Sequence, residues 1–83
     1  LLLDTGARRL KAGRPREARD AFAHAVRIQP ELARGWLGVA MSAARLGDLQ
    51  EAERACARAV RDPELPAARA FCYGNGFLAR PPR

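Results

Sequence analysis

The chain has 83 residues with fifteen basic and nine acidic side chains, a net charge of +6, and takes eighteen residues from alanine and fourteen from arginine. That length makes one small domain, which buries roughly 60–65% of its unfolded surface. The opening run Leu1-Leu2-Leu3 is far too short for a membrane span or a signal-peptide core. β-branched residues are confined to Thr5, Val26, Ile28, Val39 and Val60, and alanine and arginine are good helix formers, so the composition argues for an all-α chain.

The first helix is expected over residues 1–12. Asp4 and Arg8 make a favourable i,i+4 pair, and Leu3, Ala7 and Leu10 share one stripe. Gly13 ends it, being free to take positive φ. Pro15 suits the first turn of a second helix, in which Ala18, Phe22, Ala25 and Val26 form an amphipathic stripe and Pro30 closes the element. Glu17 near its start and Arg27 near its end have the right signs for the helix dipole.

A third helix is expected over 31–46, with Trp36, Leu37, Val39, Ala40, Met41 and Ala44 apolar. Gly47-Asp48 then turns the chain, with Asp48 as the N-cap of a fourth helix over 49–61. Asp62-Pro63-Glu64-Leu65-Pro66 is a connector, and Pro66 begins a fifth helix through about residue 79. Gly74-Asn75-Gly76 interrupts that pattern and is also a hairpin signal. A continuous helix is expected because a lone hairpin would have no sheet to join. Residues 81–83 read as a linker or tail.

The second helix and turn have an echo. Gly13, Glu17-Ala18, Ala25 and Val26-Arg27 recur as Gly47, Glu51-Ala52, Ala59 and Val60-Arg61, at an offset of 34 (47−13). A period of that length marks a supersecondary unit that buries its apolar face only by stacking on copies of itself. The expected architecture is an all-α solenoid fragment of about five antiparallel helices. It is one domain over 1–80, with units at about 1–32 and 33–65 and a half unit at 66–80. Lacking an initiating Met, the chain is expected to be part of a longer one.

Trp36, Gly47-Asp48, Glu51-Ala52 and Ala59, with Gly6, Gly13, Glu17-Ala18, Phe22, Ala25 and Pro30, resemble the tetratricopeptide repeat, a helix–turn–helix unit of 34 residues. The resemblance implies that Gly6, Ala40 and Gly74 are small so that paired helices cross closely, and that Phe22 and Cys56 fill the space between units. Thr5, Arg9 and Ala43 depart from the pattern, and Pro63 comes one residue early.

The resemblance further implies a concave groove lined by the first helix of each unit. Its columns are Leu3, Leu37 and Phe71; Ala7, Met41 and Asn75; and Leu10, Ala44 and Leu78. Lys11, Arg34 and Arg45 stand on its rim. The expected role is a protein-interaction or scaffold module that takes a partner's peptide or helix in this groove, with acidic flanks meeting the basic rim. The positions that grip the C-terminal carboxylate of heat-shock chaperones elsewhere in the family hold Leu3, Ala7, Gly38, Ala68 and Cys72 here, so no binding of such tails is expected. The alternative role is self-association through exposed repeat faces. Pentatricopeptide-type RNA reading, or salt-sensitive attraction of nucleic acid, membrane or acidic partners to the arginine surface, fits less well.

No Ser/His/Asp or Cys/His arrangement is present, so the expectation is a non-enzyme with no cofactor or metal. His24 is expected on the solvated side of its helix, and Trp36 in the core. Cys56 and Cys72 form no CxxC; they are expected as buried, inert thiols in a cytoplasmic protein.

Overall fold

The computed structural model describes residues 1–80, so the tail at 81–83 lies outside the described residues. The described chain folds into five α-helices: α1 (Leu2–Lys11), α2 (Pro15–Ile28), α3 (Ala33–Leu46), α4 (Leu49–Ala59) and α5 (Pro66–Gly74). Each helix packs on the next through a short connection, as antiparallel neighbours do, while α1 also touches α3 and α3 touches α5. The odd helices therefore form one layer of a repeat-like array. The even helices back them, and the Arg19–Glu51 ion pair (3.3 Å) links α2 to α4. Among the described residues no helix is long and apolar enough to cross a membrane.

The turns between paired helices are built alike. Gly13 (φ 77°) and Gly47 (φ 78°) stand just past α1 and α3 in the left-handed region, where a side chain is disfavoured. At the first, Gly13 donates to the Leu10 carbonyl and Arg14 to that of Arg9. At the second, Gly47 donates to Ala44 and Asp48 to Ala43. Both are Schellman motifs, in which crossed bonds satisfy the last helical carbonyls. Asp48 then caps α4, its carboxylate accepting from the Glu51 N–H at 3.2 Å. Pro15 and Pro66 occupy first-turn positions of α2 and α5, where the absent N–H costs nothing.

Small residues bring the helices together. Ala18, Ala40, Ala43, Ala52, Ala59 and Ala68 are fully buried. Phe22 is the one buried aromatic, with its ring held between two glycines: a Cβ on Gly6 of α1 would lie 2.7 Å from it, and one on Gly38 of α3 would overlap it. Val26 likewise fits against Gly35, where a Cβ would come within 2.6 Å of its Cγ1. Knob and hole are thus provided by Phe22 and Val26 on α2 and by missing side chains on α1 and α3.

Three expectations are corrected. The cysteines are not thiols: Cys56 and Cys72 form a disulfide joining α4 to α5, with Cα atoms 5.7 Å apart at a sequence separation of 16. Closing a loop of that size removes roughly 3 kcal/mol worth of unfolded-chain entropy. Helix α5 does not run on to residue 79. It ends at Gly74, and Gly76 (φ 74°) closes it with a third Schellman motif, in which Gly76 donates to Tyr73 and Phe77 to Cys72. This stop comes 29 residues after Gly47 (76−47), five short of the repeat. Gly74 is not at a helix crossing either, since it is exposed and a Cβ there would meet nothing within 4 Å.

Candidate functional site

Helices α1 and α3 lie side by side because Phe22 of α2 wedges beneath both. The trough between them is an open cavity of about 520 Å³. Its apolar wall comes from Leu3, Ala7 and Leu10 on α1 and from Leu37 and Met41 on α3, with Phe22 and Gly38 as its floor. Lys11, Arg34 and Arg45 line it as well.

These positions follow from helical spacing. Leu3, Ala7 and Leu10 recur at intervals of four and three, and so do Arg34, Leu37, Met41 and Arg45. Each series makes one stripe, and the two stripes face each other. Leu10 is buried, Leu3, Leu37 and Met41 are half-buried, and Ala7, Lys11, Arg34 and Arg45 are exposed. Arg45 is also held in place: its Nη1 donates to the Leu10 carbonyl at 3.0 Å, so its charge sits at the negative end of the α1 dipole. The result is an apolar trough with three cationic groups and no carboxylate among its lining residues.

The structure therefore brings Leu3, Ala7, Leu10, Lys11, Arg34, Leu37, Met41 and Arg45 of the expected groove into one cavity. Ala44, Phe71, Asn75 and Leu78 are not part of its lining. Ala44 is half-buried on α3, between the lining residues Met41 and Arg45 in sequence. Phe71 is half-buried on α5, where its ring stacks on Phe77 at 5.4 Å between centroids. Asn75 follows the end of α5 and donates from its side chain back to the Phe71 carbonyl at 2.8 Å. Leu78 lies beyond the Gly76 turn, off the helix. Because α5 stops at Gly74 and the chain turns at Gly76, Asn75 and Leu78 do not continue the columns that Leu3, Ala7 and Leu10 begin. Phe22 and Gly38 are the lining residues that reasoning from α1 and α3 stripes alone misses; the i,i+4 core stripe of α2 carries the signal for Phe22.

A second cavity, of about 420 Å³, lies where the start of α3 meets the end of α4, lined in part by Trp36, Arg58 and Arg61. Trp36 is engaged on two sides here. Its indole N–H donates to the Pro30 carbonyl at 2.6 Å, and the Arg58 guanidinium lies 4.8 Å over its ring. Trp36 is half-buried and His24 is exposed. A third crevice, of about 350 Å³, runs along the outer side of α1 and α2 past Leu2, Ile28 and Leu32. Leu1 and Ile28 are exposed there, Ile28 at 68%. Among the described residues no three of His, Cys, Asp and Glu are grouped to hold a metal ion.

No protein-family model, curated protein or solved structure matches the chain.

Proposed function

We propose that the chain is a tetratricopeptide-type module that binds a partner's amphipathic segment in the trough between α1 and α3. The observation carrying this reading is the pairing of an apolar wall (Leu3, Leu10, Leu37, Met41) with a wholly cationic rim (Lys11, Arg34, Arg45) around a cavity of about 520 Å³. An amphipathic helix laid into such a trough buries its leucines, and its acidic flanks meet the three basic groups. The 34-residue period and the repeated turn chemistry support the family assignment, and the role needs no catalytic group, cofactor or metal. The disulfide favours an oxidising compartment over the cytoplasm.

The test uses a synthetic amphipathic peptide with leucines at i, i+3 and i+4 and glutamates at both ends, with a lysine-ended version as control. The glutamate-ended peptide is expected to bind with micromolar affinity, weakening as salt rises. Leu37→Glu removes binding, while Leu49→Glu, at an exposed leucine outside the trough, leaves it intact. Equal binding of the two peptides, or binding that survives Leu37→Glu in a folded chain, refutes the assignment. A second reading, self-association, draws on the apolar crevice at Leu2, Ile28 and Leu32. In that case Ile28→Glu abolishes a concentration-dependent dimer seen by light scattering.

A further inference from the structure

The two halves of the repeat solve the same packing problem in different ways. At the junction between units, Phe22 of α2 seats in the gap left by Gly38 of α3. Moving each position by the repeat offset gives Cys56 (22+34) and Cys72 (38+34). Those are the two residues joined by the disulfide. The covalent bond therefore stands where the aromatic knob and glycine hole stand one unit earlier.

Beside the bond, helix α5 and the turn after it are held by few buried groups, with Phe71, Phe77 and Leu78 only half-buried against the edge of the core. The helix is the shortest of the five, at nine residues, and its buried residues are Ala68 and Cys72, whereas α2 buries Ala18, Phe22, Ala25 and Val26. A helix of that length has no stability of its own in water and depends on docking. Cys56 and Cys72 are both fully buried, so the bond lies inside the α4–α5 contact. The segment after α5 is tied to the same point, because Phe77 and Leu78 both donate to the Cys72 carbonyl, at 3.0 and 3.1 Å.

We propose that the Cys56–Cys72 disulfide is a redox latch. Reduced, it releases α5 and the Phe71–Leu78 stretch while α1 to α4 stay folded around Phe22. The reductant is a thiol, and a dithiol such as dithiothreitol serves as the probe. One reagent thiolate attacks a cysteine sulfur, the S–S bond breaks, and the other cysteine leaves as a thiolate that takes up a proton. The second reagent thiol then displaces the first cysteine from the mixed disulfide. The protein gains two electrons and two protons as two thiols, and the reagent ends as its cyclic disulfide. Burial of both sulfurs makes the first attack wait on a local opening of α5.

The experiment is hydrogen exchange by mass spectrometry on the whole chain, oxidised and after dithiothreitol treatment without denaturant, with alkylation to count free thiols. It reads no partner binding, so its outcome is separate from that of the groove assignment. Reduction is expected to speed amide exchange across residues 66–74 by about a hundredfold, with less than about a twofold change across 15–59. The Cys56→Ala/Cys72→Ala double variant, never exposed to reagent, shows the same pattern. Unchanged exchange at 66–74 with both thiols free overturns the latch, because packing alone then holds α5. Loss of protection across 15–59, in the reduced chain or the variant, overturns it too, since the bond then supports the whole fold. A disulfide that resists reduction in native buffer also rules it out.

Discussion

Phe22 and Gly38 make one contact, and a double-mutant cycle on the pair tests whether that contact holds the two units together. Phe22 is 5% exposed, and its ring lies between Gly6 and Gly38. Phe22→Ala withdraws on the order of 150 Å² of apolar surface from the core, which at about 25 cal/mol per Å² is roughly 4 kcal/mol. Compactness of the unfolded chain lowers that figure and the residual cavity raises it, so about 3–5 kcal/mol is expected. A chain of this length has about 4–12 kcal/mol in total, so the variant is close to unfolding. Gly38→Ala alone forces its Cβ into the ring and is destabilising, although alanine favours helix by about 1 kcal/mol. With Phe22→Ala already present the ring is gone, the added methyl fills part of the cavity, and the same substitution stabilises. Urea unfolding followed by circular dichroism at 222 nm reads all four stabilities. A neutral or stabilising Gly38→Ala in the native background, or additive effects of the two changes, would show that ring and glycine do not meet.

Two further substitutions probe single hydrogen-bonding groups, with thermal or urea unfolding as the measurement. Ser42 is fully buried on α3, and its hydroxyl has no partner among the described residues. Ser42→Ala therefore stabilises by about 1 kcal/mol, and a loss of that size instead would reveal a partner for the oxygen. Asp48→Ala removes the one side-chain cap seen at a helix start and costs about 1 kcal/mol, whereas Asp48→Asn costs little; equal losses from both would locate the effect in charge rather than in the cap.

The repeat, the turns and most of the groove are legible in the chain itself, because each depends on neighbours within about four residues or on one fixed offset. Gly13 and Gly47 announce positive φ, Asp48 announces a cap, and the spacing of Leu3, Ala7 and Leu10 with that of Leu37 and Met41 builds two stripes. Once the units stack, those stripes face each other. The fifth helix departs from its expected length for a local reason: Gly76 takes positive φ and ends the helix in a Schellman motif, neither the continued helix nor the hairpin that Asn75-Gly76 suggests, and this turns Asn75 and Leu78 out of the groove.

What no local pattern decides is which surfaces meet across units. Two cysteines 16 residues apart on different helices pair because the packing of α5 against α4 and α3 brings their Cα atoms to 5.7 Å, a distance that neither helix's own pattern fixes. Ser42 shows the same dependence, since its place one repeat earlier is taken by Arg8, exposed in an ion pair with Asp4, while Ser42 itself is sealed inside. Helical periodicity determined each face of this protein, and burial, bonding and the open trough were decided by stacking, because the apolar surface lost from water belongs to pairs of helices rather than to any one of them.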